Sequence, residues 1–161
     1  MNMQSRNVSE STVEMTELVL PNDTNPLGNV MGGRVMHLMD IAAAIAAARH
    51  ARRPCVTAAI DEIVFHAPVP MGSVLVLKAS VNLACRTSME VGVRVESEDR
   101  LSGARRHTSS AYLTFVAVDD ASRPAKVPAL ITESPEEERR RENALERRQR
   151  RLERSRRKAG G

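Results

Sequence analysis

The chain has 161 residues, with 24 Lys plus Arg against 20 Asp plus Glu, and its 42% hydrophobic and 27% charged content is that of one folded domain and not of a disordered chain. The formal net charge of +4 invites a nucleic-acid reading, but residues 133–161 hold 11 Lys/Arg and 7 Asp/Glu, so all the excess sits in a tail behind a neutral body. Phe65, Tyr112 and Phe115 are the only aromatic residues, too few for a surface that stacks bases.

Residues 1–10 are polar and expected to be flexible. Thr12 to Leu20 predicts a short strand stopped by Pro21, and residues 21–29 are a cluster of turn formers that leads to Gly32-Gly33. From Arg34 to Arg49 apolar residues recur with a period near 3.6, and the alanines of 42–48 make the helix thin. It is apolar nearly all round, which predicts burial. After Pro54 the period changes to two. Strands are predicted over Cys55–Phe65, Val74–Cys85, Ser88–Glu98 and Arg105–Val118, with turns at 67–72 and 99–103. Met89, Val91, Val93 and Val95 point inward, and Glu90, Arg94 and Glu96 outward. One helix cannot cover both faces of such a sheet, so the economical arrangement is α+β: a long antiparallel sheet curled around one central helix over residues 11–132.

The tail, 133–161, begins with a capping box at Ser134-Pro135-Glu136-Glu137 and runs from glutamates to arginines, as the helix dipole favours. Its large apolar residues are Leu145 and Leu152, so it predicts a charged, solvated helix lying loosely on the body or on a partner and frayed at its end. No apolar run spans a bilayer, the N-terminus lacks a signal-peptide core, and Cys55, Cys85 and the four histidines show neither a disulfide framework nor metal-ligand spacing. These features predict a cytoplasmic protein with reduced thiols, no metal and no membrane insertion.

Asp40 stands two turns inside the apolar helix. An ionised carboxylate there needs either a structural partner, such as His37 or Arg34, or a role as a general base in a cleft. Gly32-Gly33 opens the helix. With no side chains in the way, a carbonyl oxygen can approach the free N–H groups of the first turn, an arrangement suited to holding an oxyanion; a tight turn into the helix is the alternative.

The stretch PNDTNPLGNVMGGRVMHLMDIAAAIAAARH resembles the signature of hotdog-fold acyl-CoA thioesterases of the cytosolic acyl-CoA hydrolase type. The similarity extends to Phe65–Val69, to Arg86–Val91, to Gly103–Arg106 and to Phe115–Asp119, and covers about residues 12–150. The resemblance implies a hotdog fold and hydrolysis of fatty acyl-CoA to fatty acid and CoA, with CoA entering as part of the substrate and no cofactor. It implies that Asn25 of one subunit and Asp40 of its partner act on the thioester across a dimer interface, beside Gly32 and Gly33. Whether Asp40 acts as base or nucleophile stays open. Arg86, Thr87 and Ser88 resemble the family's CoA contacts, and Arg105 and Arg106 are a second candidate for the phosphates. A homodimer is implied, with hexamers built from dimers common among relatives. The alternatives are another hotdog enzyme, such as a dehydratase, and an acyl-CoA-binding module without turnover.

Overall fold

The structure, a computed structural model, describes residues 3–161. The strands are β1 (Arg6–Asn7), β2 (Val13–Leu18), β3 (Cys55–Phe65), β4 (Val74–Ala84), β5 (Ser88–Glu98), β6 (Arg105–Ala117) and β7 (Leu130–Ile131). The helices are α1 (Gly32–Ala51) and α2 (Pro135–Ala159), with single 3-10 turns at Val8–Glu10 and Pro21–Asp23. Five strands form one antiparallel sheet in the order β2-β4-β5-β6-β3. The predicted hotdog is present: a long sheet around one helix.

Alternation explains the core. Leu75, Leu77, Ala79 and Val81 of β4 join Met89, Val91, Val93 and Val95 of β5 and Ala111, Leu113, Phe115 and Ala117 of β6 in one apolar layer. That layer packs on Val35, Leu38, Met39, Ala42, Ala43, Ala46 and Ala47 of α1. The alanines let the helix axis approach the sheet closely. Alternation breaks at a register shift between Val81 and Leu83, so Leu83 pairs with Glu90 and lies outside this cluster.

Three expectations change. The helix is not buried all round, because Met36, Ile41 and Ile45 on one side of α1 remain exposed. The N-terminal segment does not stand free: Arg6–Asn7 pairs in parallel with Leu130–Ile131, and Val8 is buried. The tail is not loose. α2 crosses the outer face of the sheet, with Ala144 buried, Arg147 on Glu90 of β5 at 2.7 Å and Arg151 on Asp61 of β3 at 2.7 Å. Glu90, read as an outward residue, is only 3% exposed for this reason. Arg147 also lies 3.5 Å from the centre of the Tyr112 ring, a cation–π contact. The arginine stripe that reads as solvent-facing is thus what fastens the helix.

Candidate active site

The loop before α1 is built by Asn25. Its Oδ1 accepts hydrogen bonds from the N–H groups of Leu27 (3.0 Å) and Asn29 (3.2 Å), and its own N–H donates to Asn29 O at 2.8 Å. Gly28 closes the turn at φ +78°, the left-handed region that favours glycine. With the oxygen held by the loop, the Asn25 side-chain NH2 is left as a donor. Asn25 and Gly32 line one cavity of about 490 Å3, together with Phe65, His66, Thr108 and Ser109.

Gly32 and Gly33 are the first two residues of α1, which starts two residues before the periodic pattern at Arg34. The N-cap, Met31, offers no side-chain acceptor to the first turn. A Cβ on Gly32 would lie 3.4 Å from the Phe65 ring, while a Cβ on Gly33 would meet nothing within 4 Å. The space a side chain at Gly33 would fill is open, and the first-turn N–H groups have no intrahelical acceptor.

Asp40 is half-buried and lies on the open side of α1, with Met36, Ile41 and Ile45. Its partner is neither His37 nor Arg34. Thr57 of β3 donates its hydroxyl to Asp40 Oδ1 at 2.7 Å, and Arg34 instead approaches Asp23 at 3.2 Å and Glu17 at 3.9 Å. Sequence reading missed Thr57, because a threonine in a β-rich run carries no signal of its own. Its only distinctive mark is structural: the β3–β6 register shifts between Thr57 and Ala59.

Within one chain Asp40 does not line the Asn25–Gly32 cavity. Seven helical residues separate it from Gly33, about 10 Å along the axis. β3 has β6 on one side and no strand on the other. That edge shows Val56, Ile60, Val64 and Phe65 to solvent, and the open face of α1 lies beside it at the Asp40–Thr57 contact. Exposed apolar surface of this kind, next to a free strand edge, marks an interaction face.

The five CoA candidates fall into two separate groups. Arg86, Thr87 and Ser88 form the β4–β5 turn, where Arg86 O and Thr87 O accept from Val127 N–H and Ala117 N–H. Arg105 and Arg106 begin β6 at the opposite end of the β5–β6 ladder, and Arg105 is held by Glu98 at 2.7 Å. The ladder between them is about 30 Å long. His37 is exposed; His66, beside the Asn25 cavity, has its ring 4.9 Å from that of His107. Among the described residues no group of His, Cys, Asp and Glu is placed to hold a metal, and no helix is long and apolar enough to cross a membrane.

Residues 27–104 match the family model of the thioesterase superfamily. The uncharacterized acyl-CoA thioester hydrolase YkhA of Bacillus subtilis is 38% identical over 134 residues, which are 83% of this chain and 78% of that protein. The chain belongs to the thioesterase superfamily. It is a thioester hydrolase with a hotdog fold. Mouse acyl-coenzyme A thioesterase 11 is 42% identical over 90% of this chain, which spans 25% of that longer thioesterase. The structure of an apo-hexameric acyl-CoA thioesterase superposes with a TM-score of 0.91 at 42% identity, covering 94% of this chain and 97% of that one. The acyl-CoA hydrolase of Staphylococcus aureus, solved with butyryl-CoA, CoA and CoA disulfide, superposes at 0.91 with 34% identity over 97% of this chain and 95% of that one. Alanine variants of this hydrolase have been solved at an aspartate, at an asparagine 15 residues before it and at a threonine 17 residues after it.

Proposed function

We propose that this thioesterase-superfamily protein hydrolyses acyl-CoA to a free carboxylic acid and CoA, in a site shared between two subunits. The observation that carries this reading is the Asp40–Thr57 pair on the open α1–β3 face. The pair is a carboxylate held by one oxygen, with the other left to act, surrounded by apolar side chains that a second subunit would cover. The spacings from Asn25 to Asp40 and from Asp40 to Thr57 are 15 and 17 residues, the same as in the three variants of the S. aureus hydrolase.

The chemistry follows from the donors and acceptors. The thioester carbonyl oxygen lies at the start of α1 of one subunit, against the Gly33 N–H, with Gly32 leaving the approach clear. The helix dipole and that N–H stabilise the oxyanion as water adds. Asn25 of the same subunit donates from its NH2, polarising the carbonyl or orienting the water. Asp40 comes from the other subunit, since one chain separates it from its own Gly33. Thr57 fixes one Asp40 oxygen, and the second takes the proton from water. Collapse of the tetrahedral intermediate breaks the C–S bond, and CoA leaves as a thiolate that takes up a proton. The base role, rather than attack by Asp40 itself, predicts that a single turnover in H2(18)O places the label in the acid. Unlabelled acid in that first turnover would instead show attack by Asp40, with water opening the mixed anhydride at the aspartyl carbon and the label left on the protein.

The dimer forms through the free β3 edges, burying Val56, Ile60 and Val64 with the open side of α1, and dimers assemble further into a hexamer. CoA phosphates are met by Arg86, Thr87 and Ser88 or by Arg105 and Arg106. Charge reversal in the correct group raises KM more than it lowers kcat. The two unpaired cysteines support a cytoplasmic location.

Thiol release from a chain-length panel of acyl-CoAs tests the function. Asp40→Asn and Asn25→Ala each abolish turnover without unfolding. Mixing the two inactive proteins under exchange restores roughly a quarter of wild-type activity, because half the dimers are mixed and each has one intact site. No restored activity in demonstrably mixed dimers refutes a shared site. Wild type that binds acyl-CoA without releasing thiol refutes the enzyme reading.

A further inference from the structure

The outer side of the sheet, away from α1, holds a second cavity of about 540 Å3 between α2 and strands β2, β4, β5 and β6. No step of the hydrolysis uses it. Its floor follows from the same alternation that builds the core: with Leu77, Ala79 and Val93 inward, Lys78, Ser80 and Arg94 point out. Lys78 and Arg94 are directly opposite one another across the β4–β5 ladder. Like charges in that position repel. One carboxylate serves both, with Glu96 Oε1 at 3.1 Å from Lys78 Nζ and 3.9 Å from Arg94 Nε.

The roof repeats the arrangement. On α2, Arg139 and Arg140 share Glu136 at 3.9 and 2.8 Å. A helix packed on a sheet ordinarily turns leucines toward it, but α2 turns Arg140, Asn143 and Arg147 to this cavity, and Ala144 is its only buried residue. Five cations (Lys78, Arg94, Arg139, Arg140 and Arg147) therefore face four carboxylates, since Glu14 also lines the cavity, opposite Lys78 on β2, and Glu90 holds Arg147. The groove keeps a net positive charge, and its excess lies on the α2 wall, where Arg139, Arg140 and Arg147 stand against Glu136 alone. Asn82, 5% exposed and donating to Glu90 at 3.3 Å, gives it a fixed polar floor.

We infer that this groove binds a small phosphate-bearing anion, which bridges Lys78 and Arg94 of the sheet to Arg139 and Arg140 of α2. The ligand relieves the cross-strand repulsion and clamps the helix onto the sheet. A phosphate group suits the site because its three charged oxygens can be shared between two cation pairs.

Isothermal titration of the full-length protein with inorganic phosphate and with adenosine 5′-monophosphate tests the site, read without turnover and so independently of the catalytic reading. Wild type is expected to bind, and Lys78→Gln/Arg94→Gln and Arg140→Gln each to weaken binding about tenfold, the effect of losing a charged hydrogen bond. Tighter binding of the nucleotide identifies a phosphate ester as the ligand; equal binding identifies free phosphate. Arg100→Gln, an exposed cation outside the groove, leaves the affinity unchanged. Hydrolysis without added anion is unchanged in all these variants. Arg140 lies on the exposed side of the groove, so its variant decides the matter if the double variant does not fold. The inference is overturned if neither anion binds wild type at about 10 mM, or if Arg100→Gln weakens binding as much as Arg140→Gln.

Discussion

Thr57→Val tests the central pair most directly. Valine keeps the β-branched shape and the strand preference, and removes only the hydroxyl that donates to Asp40 Oδ1 at 2.7 Å. A hydrogen bond to a charged group contributes about 1.5–3 kcal/mol. Thr57 is exposed in the single chain, so water replaces part of what is lost and the lower half of that range applies. About 1.5–2 kcal/mol in the barrier is roughly a 10- to 30-fold fall in kcat. Because Thr57 acts through Asp40 and not on the substrate, KM stays near the wild-type value. Thr57→Ser restores the donor and most of the rate. The assay is thiol release at saturating acyl-CoA, with circular dichroism to show that each variant is folded. If Thr57→Val keeps the wild-type kcat while Asp40→Asn is inactive, the hydrogen bond does not position the carboxylate and the reasoning fails.

Three other outcomes follow from the fold. Glu90→Ala leaves Arg147 without its buried partner; the cost, up to about 3–5 kcal/mol, is limited by the release of α2, so amide exchange over 135–159 should rise far more than exchange in β4 and β5. Equal loss of protection in the sheet would show that the pair holds the body and not the helix. His50 is fully buried, with Nε2 2.8 Å from Pro128 O, and burial holds its pKa below the ordinary 6.5. Its contribution is present above pH 6.5 and is lost as the pH falls toward the lowered folded value, because the unfolded chain then binds the extra proton. Urea titrations from pH 8 to pH 5 should show that loss in wild type and a flatter profile in His50→Gln; identical slopes would remove His50 as the cause. Burial pushes the Cys55 thiol up to about 11, so Cys55 in the folded protein should resist iodoacetamide at neutral pH and react once guanidinium unfolds the chain, as followed by mass spectrometry. Rapid labelling of folded protein would contradict that environment.

Most of the architecture was legible in the residues. The change from a period of 3.6 to a period of two after Pro54 marks the helix and strands, because each period follows from backbone geometry alone. Asp40 stood out because a carboxylate conflicts with an apolar helix. The structure resolves that conflict by placing Asp40 on the open face, at Thr57, rather than in the core. Asn25, Gly32 and Gly33 were also visible, as a polar turn cluster running into side-chain-free helix positions. Other features were not legible. β1 and β7 are two residues each, too short to carry a period. The arginines of α2 pattern as solvent-facing until Glu90 and Asp61 are brought beneath them. The two candidate groups for CoA, Arg86–Ser88 and Arg105–Arg106, could not be placed relative to each other, and the β5–β6 ladder holds them at opposite ends.

The sequence by itself determined the family, the hotdog layout, and the residue types able to hydrolyse a thioester, since these depend on local pattern and on a motif contiguous over residues 21–50. Tertiary structure alone decided which groups meet. Thr57 reaches Asp40 across 17 residues and Arg147 reaches Glu90 across 57, contacts fixed by how a helix lies on a sheet and invisible to any local period. It also decided that Asp40 and the Asn25–Gly32 cavity stand apart in one chain, because a rigid helix keeps its own first turn and its third turn about 10 Å apart.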